Sequence, residues 1–143
     1  MSDARPTAPR VGDVWRYPFV WSREAADGET EGRKDRPCVV PVVVTTEEGG
    51  PFVYFLPITT QAPRKGRSAM EVPQTELRRA GLATDGPSWV MLDEYNRDRL
   101  GASYYVQPNG YMGRFSPAFL DPLRLRFARL VAARVSAAVA RDR

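Results

Sequence analysis

A chain of 143 residues is long enough for one domain with a real core and too short for two ordinary ones. With 43% hydrophobic and 27% charged residues it is not a disordered composition, and its formal charge of +4 rests almost wholly on arginine, Lys34 and Lys65 being the only lysines. The absence of histidine excludes His-containing triads, His metal sites and His acid–base pairs, and the single Cys38 excludes an internal disulfide.

Arginine presents a planar fork of donors that suits phosphate, so the basic excess reads either as preparation for a nucleic-acid partner or as a bias of composition. No apolar run approaches membrane-spanning length, and Ser2 to Arg10 lacks the apolar middle of a secretory signal. The expectation is a cytoplasmic protein with no membrane partner.

In chain order, residues 1–11 read as a flexible N-terminal arm and 12–143 as the folded domain. From Asp13 to Trp21 the aromatic residues Trp15, Tyr17, Phe19 and Trp21 recur at every second position, the period of a strand. That row reads as core or dimer contact ahead of a base-stacking platform. Ser22 to Asp35 is a long charged loop containing Gly28 and Gly32, a candidate lip for a site. Cys38 to Thr46 reads as a strand buried on both faces, with a bulge or edge position at Pro41, which has no ladder N–H. After a turn over Glu47 to Gly50, Phe52 to Ile58 forms a second central strand. If these two strands pair as a hairpin, Arg36 and Thr59 fall at the same end of the sheet.

Gln61 to Ser68 is an exposed basic loop carrying Arg64, Lys65 and Arg67, read either as a solvated surface or as a phosphate contact. Ala69 to Val72 is a short strand. Thr75 to Ala80 is a short helix capped by Thr75 and ended by Gly81. Ser88 to Tyr95 is a strand ending in Asp93 and Glu94, and Tyr104 to Gln107 and Tyr111 to Phe115 flank Pro108-Asn109-Gly110 as a hairpin. Near the C-terminus, Ser116-Pro117 and Asp121-Pro122 each signal a helix start. The cost of an internal proline predicts a turn over Pro117 to Leu120 and a main helix from Pro122 to about Arg141, with an apolar stripe of Leu123, Phe127, Leu130, Val131, Val135 and Ala138. The sum is a mainly-β barrel with a short helix and a long C-terminal helix. There is no metal-ligand spacing and no phosphate-binding glycine-rich loop, so no metal or cofactor is expected.

An arginine and two threonines on neighbouring strand ends, Arg36 with Thr59 and Thr60, make an anion site: guanidinium for charge, hydroxyls for orientation. A purely structural alternative has Arg36 paired with Asp93 and Thr59 closing a strand end.

Four stretches occur in an order that resembles the MazF/PemK/Kid family of toxins from toxin–antitoxin systems: GDVW (Gly12 to Trp15), the loop GETEGRKD, RPCVV (Arg36 to Val40) and PITTQ (Pro57 to Gln61), followed by Gly113, Ser116 and a helical tail. The resemblance covers most of the folded chain. It implies an SH3-like small barrel that acts as a homodimer, cleaves single-stranded RNA at short sequences without a metal or cofactor, and is neutralised by a cognate antitoxin. It further implies Arg36 and Thr59 as the catalytic pair, Glu31 as the loop glutamate five residues before that arginine, and Thr60 as the neighbouring hydroxyl; the substrate-binding set is Thr60, Gln61 and Asp93 together with Arg64 and Lys65, which come from the reading of the basic loop as a phosphate contact. Removal of the 2′-hydroxyl proton is left between Glu31 and other groups, with Arg36 as acid. Where some members carry an arginine two residues before the later aspartate, this chain has Met91. The alternative is a non-catalytic RNA- or protein-binding module on the same barrel.

Overall fold

The computed structural model describes residues 6–23, 35–45, 48–101 and 105–141. Its strands are β1 (Asp13–Tyr17), β2 (Arg36–Val39), β3 (Val43–Val44), β4 (Phe52–Thr59), β5 (Ala69–Glu71), β6 (Trp89–Met91), β7 (Glu94–Arg99), β8 (Tyr111–Arg114) and β9 (Ala137–Ala140). The helices are α1 (Gln74–Arg79) and α2 (Pro117–Ala132), with a 3-10 turn at Pro108–Gly110. The protein is thus mainly β with one main helix. The strands hydrogen-bond in the order β5-β6-β4-β2-β1-β8, with β3 and β7 also on β4 and β9 on β7. The pairs are antiparallel except β7 with β9, and among the described residues the path stays open, its end strands β5 and β8 unpaired with each other.

Strand β4 organises the sheet because its sequence, FVYFLPIT, is apolar on both faces and must be covered on both. Its first half pairs with β3 and β7, its second half with β2 and β6. The change of partner has a cause in each neighbour. From Val39↔Leu56 to Val43↔Val53 the β2–β3 side advances four residues while β4 advances three, so one extra residue bulges out around Pro41, as its missing N–H predicts. From Val90↔Ile58 to Asn96↔Phe55, six residues oppose three. The chain therefore turns a corner at Leu92–Asp93, and the single strand expected over Ser88 to Tyr95 is two.

Both faces of β1, β2 and β4 are buried. Val14, Val39, Leu56 and Ile58 face the helices with Leu77, Val90, Leu92, Phe115, Leu123 and Phe127. Trp15, Tyr17, Phe19, Cys38, Val40, Val53 and Phe55 pack on the other side, so the first three members of the aromatic row are core, with Tyr17 stacked on Phe55 at 4.0 Å. Burial pushes the Cys38 thiol well up from its ordinary value, which leaves it an unreactive core side chain. Arg10 and Val11 are already tied to this body. The Arg10 backbone N–H and guanidinium donate to Asp13, and Val11 packs on the first core.

The expected hairpin around Pro108-Asn109-Gly110 does not form. β8 pairs with β1 instead, residues 105–107 are in no strand, and the Asn-Gly step lies in the 3-10 turn. Glycine is needed at 110 for space, since a Cβ there would lie 2.9 Å from the Arg16 carbonyl oxygen. Thr75 does not cap α1 either; Pro73 occupies that position. At the C-terminus one helix runs from Pro117 through Pro122. Pro122 forfeits only the bond to the Ala118 carbonyl just past the first turn, and burial of Phe119, Leu120, Leu123 and Phe127 outweighs that loss. The helix ends at Ala132, not near Arg141. Arg134 takes a left-handed φ of 57°, its N–H donates to the Val131 carbonyl, and the Val135 N–H reaches back to Leu130 at 2.8 Å, a Schellman stop built without glycine. Of the expected stripe, Leu123, Phe127 and Leu130 face the core, whereas Val131 and Val135 are exposed and Ala138 lies in β9.

Candidate functional site

The register that sets Cys38 opposite Pro57, continued along both strands, sets Arg36 opposite Thr59. There the two strand ends open into a cleft of about 550 Å³, lined by Trp21, Arg23, Asp35, Arg36, Pro37, Ile58, Thr59, Thr60, Gln61, Ala62, Pro63, Arg64, Arg67 and Met91. Among these described lining residues four are arginines and one is a carboxylate, an excess of positive charge.

Arg36 is half-buried, and its guanidinium lies over the ring of Trp21 at 5.0 Å. Its Nε is buried with no hydrogen-bond partner, and among the described residues no carboxylate pairs with it. A buried guanidinium nitrogen left without an acceptor carries an energetic cost, which an anion in the cleft reduces by neutralising the group. The Thr59 hydroxyl accepts the Gln61 N–H at 3.1 Å, which holds its oxygen in place and leaves its proton to donate. Thr60 and Gln61 follow on the exposed turn out of β4.

The opposite wall is built differently. Arg67 donates from Nε to Asp93 Oδ2 at 2.6 Å and from one terminal nitrogen to Asp93 Oδ1 and Glu94 Oε2 at 2.8 and 2.9 Å. Burial alone would raise the Asp93 carboxyl; the bonds from Arg67 and the Ser68 N–H outweigh it and hold the group below its ordinary value. Glu94 turns its other oxygen to the Ser22 N–H at 2.7 Å. The β6–β7 corner thus clamps both the basic loop and the segment that carries Trp21 and Arg23.

Arg36, Thr59, Thr60, Gln61 and Arg64 are therefore brought together as expected. Lys65 is exposed and outside the lining, Asp93 stands behind the wall engaged with Arg67, and Glu31 lies outside the described residues. The alternative pairing of Arg36 with Asp93 is not formed. Met91 is buried and lines the cleft, supplying apolar surface and no charge. Trp21, expected with the core row, and Arg23, inside the loop expected at the lip of a site, also line the cleft, though neither is among the expected site residues. The available signal was that Trp21 is the last of an alternating row and is followed at once by charge. No protein-family model matches the chain, and no curated protein is significantly similar to it. Among the described residues no group of three or more Cys, Asp or Glu side chains is placed to hold a metal ion, and no helix is long and apolar enough to cross a membrane.

Proposed function

We propose that this protein is an endoribonuclease toxin of the MazF/PemK/Kid kind, an SH3-like small barrel that works in the cytoplasm as a homodimer, cleaves single-stranded RNA without a metal and is neutralised by an antitoxin with an acidic segment. The observation that carries the reading is the Arg36 guanidinium, its buried Nε without a partner among the described residues, beside the fixed Thr59 hydroxyl in an arginine-lined cleft. In the reaction, the 2′-oxygen attacks the adjacent phosphorus, its proton leaves to a base, and the bond from phosphorus to the 5′-oxygen breaks as that oxygen is protonated. The products are a 2′,3′-cyclic phosphate and a 5′-hydroxyl end. Charge concentrates on the phosphoryl oxygens in the transition state, where a poorly solvated guanidinium acts most strongly. Thr59 holds the phosphate for in-line displacement. The nucleophile belongs to the substrate, so DNA is not cut. Arg64 and Lys65 on the exposed loop add backbone contacts, and four arginines against one carboxylate suit an acidic inhibitor.

Met91 favours a second reading, because it leaves the cleft short of a charge that some members of the family supply: a module that binds RNA or protein without cleaving. Purified wild type and Arg36→Ala, incubated with a long phage RNA in excess chelator and followed by mapping of 5′ ends, separate the two. Discrete cuts by the wild type, lost in the variant, support the enzyme. Saturable binding with intact RNA replaces it with the binder.

A further inference from the structure

One face of β7 presents polar side chains where a core strand normally presents apolar ones. Asn96 and Asp98 are fully buried. The Asn96 side chain accepts the Val20 N–H at 2.9 Å and donates to the Val20 carbonyl at 2.8 Å, standing in for a strand partner. Asp98 accepts the Tyr17 hydroxyl at 2.7 Å, and Glu94 accepts the Ser22 N–H. The three alternate residues dock the end of β1 and the segment after it, Tyr17 to Ser22, onto β7, and this segment carries Trp21, on which Arg36 rests. A further group closes the array from the far end of the chain. Arg141, next after β9, is buried; one terminal nitrogen donates to the Pro18 carbonyl at 2.6 Å and to Asn96 Oδ1 at 3.0 Å, and its guanidinium lies 4.2 Å from the centre of the Tyr105 ring.

We propose that Arg141 is a positioning residue for the cleft: carried by β9, it fixes Asn96 and the Pro18–Val20 backbone, and through them the placement of Trp21 under Arg36. A buried guanidinium shared between a backbone carbonyl and a side-chain amide specifies one geometry, and Asn96 can serve both Val20 groups only while its amide keeps that orientation. The link to cleavage rests on the endoribonuclease reading; the placement of Trp21 does not.

The test labels the tryptophans with 5-fluorotryptophan and assigns Trp21 by its loss in Trp21→Phe. In Arg141→Ala the Trp21 resonance is expected to move while that of Trp89, on β6, stays in place. The turnover rate on RNA is expected to fall on the order of 10- to 100-fold with KM within about twofold, as misplacement of a reacting group predicts. Arg141→Lys keeps the charge but shortens the side chain and removes the planar group that lies over Tyr105, so a smaller shift of Trp21 alone is expected. That variant decides the matter if Arg141→Ala does not fold. An unmoved Trp21 resonance overturns the proposal, as does an equal displacement of Trp21 and Trp89. If the wild type cuts no RNA, the enzymatic reading fails while the resonance comparison still stands.

Discussion

Two openings formed by the described residues are of nearly equal size and opposite chemistry. The cleft at the ends of β2 and β4 holds about 550 Å³, and a groove between α2 and the β3–β4 edge holds about 520 Å³. The groove is walled by Pro41, Val42, Val44, Tyr54, Leu125, Phe127, Ala128, Val131 and Ala132, and its one cation, Arg124, already spends its Nε on the Pro41 carbonyl at 2.8 Å. In the cleft the Arg36 Nε has no such acceptor among the described residues. Volume does not separate the two openings; the state of the arginines does. A cation whose partner is already present maintains the fold, and one without a partner is available to a ligand.

Substitutions that exchange these roles test the contrast. The largest effect is expected from Arg36→Ala, which lowers RNA cleavage about 10²- to 10³-fold, as loss of a transition-state donor does, and leaves the melting temperature nearly unchanged. Thr59→Val is next, with a loss on the order of 10-fold or more in turnover, read from single-turnover rates at saturating enzyme. Arg67→Ala should act on stability first, by about 1–3 kcal/mol in urea unfolding, because it strands Asp93 and Glu94.

The same pair sets a pH dependence. Asp93 holds its proton more weakly folded than unfolded, so its contribution is present at neutral pH and is lost as pH falls below the ordinary aspartate value of about 4. Asp93→Asn should therefore flatten part of the acid limb in urea midpoints measured from neutral to acid pH. The smallest effect is expected in the groove. Leu125 is 53% exposed, and Leu125→Asp should change stability by no more than about 0.5 kcal/mol and cleavage not at all. A large loss of cleavage there would break the division between the two openings.

The strands that build the cleft were legible because their signals are local: apolar runs on both faces, Pro41 for the bulge, and a turn that sets Arg36 near Thr59. What escaped reading depends on partners distant in the chain. EYNRDR carries no alternating apolar signal, and it becomes a strand because Asn96 and Asp98 find Val20 and Tyr17. The helix stop at Arg134 carries none of the glycine that normally marks one, so the sequence implies a longer terminal helix than the one that forms, with β9 inside it. The ion pair of Arg67 with Asp93 joins residues 26 positions apart, and a sequence cannot say which arginine of a basic loop takes the carboxylate.

The bonds that dock Trp21 also bear on the order of folding. They close chain separations of 76, 81 and 123 residues, against the few residues that separate β3 from β4 in the sequence. Closing long loops costs entropy before the contacts repay it, so the hairpins around β4 form first and the docking of the Trp21 segment comes late. A chain diluted from denaturant should recover its far-ultraviolet signal ahead of its activity, the interval being the time needed to seat that segment on β7.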